Sequence, residues 1–301
     1  MTSVTVIGLG AMGLGMARSL LRAGVAVRGC DLRAEARATL AAAGGSPAET
    51  AAEAAQDAEI VVVTVVNAAQ AEAVLLGPQG ALTAMAPGGV VVLSSTVPAA
   101  DARALAAKVA AEGRLFLDAP MSGGTIAAEE GRLTFMASGA PAAFAAAEPA
   151  MGAMAGTVYR LGDEPGIGST VKSVNQLLAG VHIAAAAEAM AFGVRAGADP
   201  RTLYEVITNS AGNSWMFANR VPHMLDGDYT PRSAVEIFVK DLGLVLDAGR
   251  SLRFPLPLAA AAHQLFLMAA AAGLGQADDA AVVKVFERLT GIEVSRPDRT
   301  S

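Results

Sequence analysis

The stretch Val4-Thr5-Val6-Ile7-Gly8-Leu9-Gly10-Ala11-Met12-Gly13 decides the fold. Four β-prone residues lead into a G-x-G-x-x-G spacing, and an apolar helical pattern follows. That order predicts a strand, a tight turn and a helix whose start binds a dinucleotide. The first glycine makes the turn, the second lets the backbone approach a pyrophosphate, and the third lets the helix pack on the strand. Leu9, Ala11 and Met12 complete the loop and count among the expected cofactor contacts. The N–H groups at the helix start face the phosphate anions.

About 20 positions further on, Val25-Ala26-Val27-Arg28-Gly29-Cys30-Asp31 reads as a second strand ending in an acid. A carboxylate at that point accepts from the ribose hydroxyls of the adenosine half and repels a 2′-phosphate. Asp31 therefore argues for NAD over NADP. Arg33, two residues on, keeps a contact with a 2′-phosphate in play.

The chain has 301 residues, enough for two domains and a large core. Its net charge of −6 and lack of a basic run disfavour nucleic acid and anionic membranes as partners. A single cysteine excludes an internal disulfide and fits a reducing cytoplasm. Three scattered histidines and that cysteine form no metal-ligand pattern. The N-terminal residues enter a strand with no basic leader. Charges and polar residues interrupt the apolar helical stretches, so no membrane span is expected. Abundant alanine suits close helix packing and a homo-oligomer, a dimer or tetramer.

Strand patterns at 3–7, 25–31, 59–65, 89–93, 114–117, 132–138 and 156–160 alternate with helical ones at 11–23, 33–43, 49–55, 68–76, 80–85, 99–112 and 141–151. Such alternation predicts an α/β, doubly wound Rossmann-type sheet. The later strands, around 122–131, suit mixed pairing. Pro165-Gly166-Ile167-Gly168 opens a long helical run to about residue 196, and the patterns after Gly197 are helical throughout. The expected organisation is a dinucleotide-binding domain over 1–163, an interdomain helix over 164–196 and an all-α domain over 197–301.

Two further segments carry chemistry. Asp118-Ala119-Pro120-Met121-Ser122-Gly123-Gly124 follows an apolar strand and offers a hydroxyl and unhindered backbone N–H groups, which suit a carboxylate. Taken alone it reads equally well as a glycine-rich turn. Gly166 to Gln176 places Lys172 one turn into the long helix. At about 100° per residue, Lys172, Asn175, Ala179 and His182 share one stripe. A lysine facing a cleft loses hydration and gives up its proton more readily; by itself Lys172 also fits a plain surface lysine.

Taken together, the glycine fingerprint, Asp-Ala-Pro-x-Ser-Gly-Gly, Gly-x-Gly-x-x-x-Lys-x-x-Asn and Phe238-Val239-Lys240-Asp241-Leu242 resemble the β-hydroxyacid dehydrogenase family. The order and spacing agree from about residue 3 to 290. Gln176 departs from the pattern, since many members carry a second Asn there. The resemblance implies hydride transfer between a hydroxy acid and a nicotinamide cofactor, NAD before NADP. It implies Lys172 as general acid/base, Ser122, Gly123 and Gly124 as a carboxylate clamp, and Asn175 as a substrate-orienting amide. Thr96 matches a position near nicotinamide and substrate, and Lys240 one near the nicotinamide end. Val65, Val66 and Asn67 line the adenosine side. Within the family, the second half is most similar to the branch that oxidises L-threonate; His182, Trp215, Phe217 and His223 are its candidates for sugar-acid recognition. The alternatives are 3-hydroxyisobutyrate, tartronate semialdehyde or succinic semialdehyde as substrate, an imine reductase of related fold, and a cofactor-binding protein without turnover. An intact Lys172 speaks against the last two.

Overall fold

The computed structural model describes residues 3–295. By its internal contacts the chain divides into two compact units, residues up to Lys172 and residues from Ser173 on.

The first unit is built on β1 (Ser3–Ile7), β2 (Ala26–Cys30), β3 (Ser46–Ala48), β4 (Ile60–Val63), β5 (Val90–Leu93) and β6 (Leu115–Asp118). These strands pair in parallel in the order β3-β2-β1-β4-β5-β6. The helices between them are α1 (Ala11–Arg22), α2 (Ala34–Ala42), α3 (Ala51–Ala54), α4 (Ala68–Leu76) and α5 (Ala99–Ala111). A strand buried on both faces must be apolar at every position, and Ile60-Val61-Val62-Val63 and Val90-Val91-Val92-Leu93 are. The period of two splits each run. Val62 and Val92 join Val4 and Val6 in one cluster with Met16 and Leu20 of α1, whereas Val61, Val63, Val91 and Leu93 join Ala71, Leu75, Leu105 and Val109 on the other face. The strand order reverses between β1 and β4, the point outside which open α/β sheets bind ligands.

A second sheet continues the unit. It consists of β7 (Met121–Ser122), β8 (Leu133–Ala137) and β9 (Ala155–Arg160), with α6 (Gly124–Glu130) and α7 (Pro141–Met154) between them. The first pair is antiparallel and the second parallel. A bridge between Asp118 and Ser138 ties it to the end of β6.

Three local expectations need correction. Residues 80–85, expected as a helix, form turns. Glycines at 77 and 80 interrupt the run, and Ala81 and Leu82 donate their N–H groups back to Val74 and Leu75. Residues 46–48 add an edge strand that their Ser-Pro-Ala composition conceals; proline is tolerated at an edge. Within 122–131, where only mixed strand pairing was expected, the stretch after Gly123 is a helix.

α8 (Ile167–Arg195) runs through the division at residue 172. The second unit is helical: α9 (Pro200–Thr208), α10 (Trp215–Asp226), α11 (Val235–Leu252), α12 (Pro257–Ala269) and α13 (Val283–Thr290). Ile183, Ala187, Met190, Val221, Met224, Phe238, Leu242 and Phe266 form its core, with the Phe238 and Phe266 rings stacked at 5.1 Å. By length and composition, the helices over Ile167–Arg195 and Pro257–Leu274 are long and apolar enough to cross a bilayer, which the interrupted apolar pattern did not suggest. Part of that apolar surface is used in packing: Ile183, Ala187 and Met190 from one and Ala262 and Phe266 from the other lie in the core.

Candidate active site

The glycine turn obeys steric necessity. Gly8 has φ +93°, the left-handed region that favours glycine. A Cβ on Gly13 would lie 1.9 Å from the Gly8 carbonyl oxygen, so nothing larger lets α1 start there. Around Gly10, by contrast, a Cβ would meet nothing within 4 Å. Gly10 is also the N-cap of α1 and offers no side chain to it. The start of α1 thus keeps its outward N–H groups for an anion. Thr64, which follows β4, locks the turn by donating its hydroxyl to the Gly8 carbonyl at 2.6 Å. Sequence reasoning passed over Thr64; its only signal was a polar residue directly after an apolar strand.

Asp31 stands at the end of β2. Its Oδ2 accepts from the Leu9 N–H at 2.7 Å, and its Oδ1 from the Arg33 N–H at 2.9 Å and Nε–H at 3.1 Å. Burial pushes its carboxyl up, but the bonds from Arg33 and from Leu9 outweigh this and hold it below the usual aspartate value. Arg33 also donates to the Leu9 carbonyl at 3.2 Å. The arginine that could meet a 2′-phosphate is folded onto the acid that repels one. Leu9, Gly10, Ala11, Leu14 and Arg33 border a cavity of about 270 Å³ beside this loop. The glycine cradle, the open helix start and Asp31 together fit the pyrophosphate and ribose of NAD.

Val65 is half-buried and Val66 exposed beyond β4. Asn67 caps α4 by accepting from the Gln70 N–H at 2.9 Å, which gives it a structural duty of its own. Thr96 is half-buried after β5, behind the buried Ser94 and Ser95.

Asp118 organises the other end of the sheet. It is fully buried at the end of β6, where an unpartnered carboxylate would be costly. Its Oδ2 accepts from the N–H groups of Gly166 and Ser169, both at 2.9 Å, and its Oδ1 from the Ser169 hydroxyl at 2.7 Å. Ser138 Oγ takes the Gly168 N–H at 3.0 Å. The opening N–H groups of α8 are thereby satisfied by strand ends of the first unit. Burial pushes the Asp118 carboxyl up, with the bonds from Ser169, Gly166 and Ser138 pulling the other way. Gly168 must be glycine, since a Cβ would come within 2.3 Å of the Met136 carbonyl oxygen. In sequence Asp118 is only the start of a motif; the cap arises because the strand end and the helix start, 48 residues apart, meet.

Lys172 lies one turn beyond this cap. Its Nζ donates to the Met121 carbonyl at 2.8 Å, and only 7% of the residue is exposed. Met121 immediately precedes Ser122, Gly123 and Gly124. Those glycines have φ +131° and +73°, so the turn requires them. Both are exposed and Ser122 is half-buried. The lysine and the Ser-Gly-Gly turn are therefore joined within one unit, with the Lys172 amino group bonded to the residue that precedes the Ser122 hydroxyl and two exposed glycines. That set can hold a carboxylate and exchange a proton.

Within the second unit, Asn175 Nδ2 donates to Gln176 Oε1 at 2.9 Å, and Gln176 Nε2 to Asp241 Oδ2 at 2.5 Å. Lys240 Nζ is 2.6 Å from Asp241 Oδ1. His182 is half-buried on α8. His223 is engaged inside the unit, its Nδ1 2.9 Å from the buried Asp278. Phe217 is buried and stacks on Tyr204, whereas Trp215 is exposed. Among the described residues, no group of three or more His, Cys, Asp or Glu is placed to hold a metal ion.

Residues 3–162 match the sequence profile described as the NAD binding domain of 6-phosphogluconate dehydrogenase. Residues 166–286 match that described as NAD-binding of NADP-dependent 3-hydroxyisobutyrate dehydrogenase. A protein of Cupriavidus necator named L-threonate dehydrogenase is 59% identical over 292 residues, 97% of either chain. One of Escherichia coli K12 with the same name is 52% identical and covers 95% of both chains. A crystal structure from Salmonella typhimurium described as 3-hydroxyisobutyrate dehydrogenase superposes with a TM-score of 0.89 at 53% identity, covering 95% of this chain and all of that one.

Two outcomes follow from this geometry. Asp118→Ala strands the N–H groups of Gly166 and Ser169 and destabilises the protein by about 2–5 kcal/mol, read from urea unfolding. Asp31 has a folded pKa below its unfolded value of about 3.9, so its contribution is complete above that value and lost as pH falls through the folded one. Unfolding free energy should therefore drop more steeply below about pH 4 in the wild type than in Asp31→Asn. The same variant releases Arg33 and lowers the KM for NADP at least about tenfold, a loss of discrimination of roughly 1.4 kcal/mol.

Proposed function

Because this chain belongs to the β-hydroxyacid dehydrogenase family, the NAD(P)-dependent oxidoreductases acting on the CH–OH group of hydroxy acids, we propose that its substrate is L-threonate, oxidised to the 2-oxo acid with NAD. The observation that carries the chemistry is the bond from Lys172 Nζ to the Met121 carbonyl, which keeps the amine next to Ser122, Gly123 and Gly124. The choice of substrate rests on relatives at 50–59% identity that bear that name. NAD is preferred to NADP because Asp31 presents a charge where a 2′-phosphate would sit and ties up Arg33.

In this reading Ser122 and the N–H groups of Gly123 and Gly124 receive the substrate carboxylate. Lys172 takes the proton of the reacting hydroxyl in oxidation and returns it in reduction. Asn175 and Thr96 orient the remainder of the substrate, and Lys240 serves the cofactor end. NAD, when bound, supplies the hydride acceptor. A second reading, with 3-hydroxyisobutyrate as substrate, is favoured by the description of the Salmonella structure. Exposed Val174, Leu178 and Phe192 on α8 support a homo-oligomer, and the single cysteine suits the cytoplasm.

Initial rates with L-threonate, D-threonate, D-glycerate and 3-hydroxyisobutyrate test the substrate: NADH forms fastest with L-threonate, and a faster rate with 3-hydroxyisobutyrate overturns the assignment. Lys172→Ala lowers kcat by about 10²–10⁴-fold while the Kd for NADH stays within about threefold. Loss of NADH binding in that variant, or retained turnover, rejects the acid/base role. Light scattering returns a multiple of the 30.2 kDa chain mass; a monomer mass removes the oligomer from the reading.

A further inference from the structure

Gln176 is one departure from the pattern the chain resembles, and the structure gives it two bonds of opposite polarity. It is 7% exposed on α8, and Asp241 is 2% exposed on α11. A carboxylate only accepts hydrogen bonds, so the Gln176 amide turns its NH₂ toward Asp241 Oδ2, at 2.5 Å. That fixes Gln176 Oε1 on the opposite edge of the amide, where it accepts from Asn175 Nδ2 at 2.9 Å. Lys240 Nζ, 2.6 Å from Asp241 Oδ1, anchors the far end of the row. Two helices must come close for a side chain of this length to make the bond. Gly180, one turn beyond Gln176, permits it, because a Cβ there would be 2.9 Å from Leu242 on α11.

We propose that Gln176 is a positioning residue for substrate selection: it sets the orientation of the Asn175 amide so that the Asn175 carbonyl oxygen is offered to a non-reacting hydroxyl of the substrate. The polarity runs one way, from Asp241 through Gln176 to Asn175. With one edge of the Asn175 amide committed as donor, its acceptor edge is the one presented. An acceptor at that place suits a hydroxyl-bearing chain and gives nothing to an alkyl chain. Asparagine at 176 is shorter by one methylene, about 1.5 Å, and cannot span from α8 to Asp241 while also holding Asn175. The inference rests on the reading of Asn175 as a substrate contact and deepens it: the class selected is a polyhydroxy acid, recognised through a hydroxyl donor.

The test compares wild type, Gln176→Asn and Gln176→Leu on L-threonate and on 2-hydroxybutanoate of the same C2 configuration, which lacks the other hydroxyls. Melting temperatures identify any variant that has lost its fold. In folded variants kcat/KM for L-threonate falls about 10–100-fold, chiefly through KM, a loss of the size that about 1 Å of misplacement causes. For 2-hydroxybutanoate it changes less than about threefold. Equal losses on both acids, or no loss on L-threonate, overturn the inference. If both variants fail to fold, Asn175→Asp in the folded protein gives the same comparison, since it keeps an acceptor but removes the donor edge. Loss of activity on L-threonate with little change on 2-hydroxybutanoate supports the inference, and retained selectivity rejects it. Wild type that does not oxidise L-threonate at all overturns the substrate reading and this inference with it. Wild type that oxidises it, with an unchanged ratio in both variants, overturns the inference alone.

Discussion

The carboxylate of Asp118 is the constraint on which the first unit's chemistry depends. It ends the last strand of the parallel sheet and caps the helix that carries Lys172. A carboxylate buried this completely is tolerated only when its lone pairs are used. Here they are used by the N–H groups of Gly166 and Ser169 and by the Ser169 hydroxyl. The helix start gains as well, since its orphan donors and the positive end of its dipole meet a negative group. The strand end and helix start therefore hold each other at a fixed distance. The turn after β6 then runs past the first helical turn, and Lys172 finds the Met121 carbonyl.

The cofactor end follows the same logic with different parts. Gly8, Gly13 and Thr64 make a turn in which backbone and hydroxyl contacts leave no room for side chains. What that crowding creates is an open helix start at Gly10. Asp31 is bound to the same loop through the Leu9 N–H, so the acid proposed for the ribose and the turn proposed for the phosphates are one mechanical piece. Arg33, read from sequence as a possible phosphate partner, is instead neutralised by that acid.

The doubly wound sheet, the glycine turn and the helical second half were legible because each rests on a local rule. A strand covered on both faces must be apolar at consecutive positions, and the tight turn must be glycine. The helix over 80–85 was misread because apolar residues at helical spacing say nothing of the bonds to Val74 and Leu75 that pull them into turns. The candidate site was legible in part. Lys172 and Ser122-Gly123-Gly124 were nameable as residue types, but not their adjacency. His223 and Phe217, which looked available for a ligand, are held by Asp278 and Tyr204. Neither partner is a neighbour in sequence.

The sequence by itself determined which residues could do chemistry and which element each occupies, because propensity, glycine sterics and periodicity act over a few residues. Only the tertiary structure decided which of them act together. Asp118 reaches Ser169 across 51 positions, and Gln176 reaches Asp241 across 65. Hydrogen bonds of that span leave no local pattern, since each end is an ordinary polar residue until the backbone brings its partner within 3 Å. The departure at Gln176 could be seen in the sequence. Its meaning could not, because the direction of an amide is set by what lies on its far side.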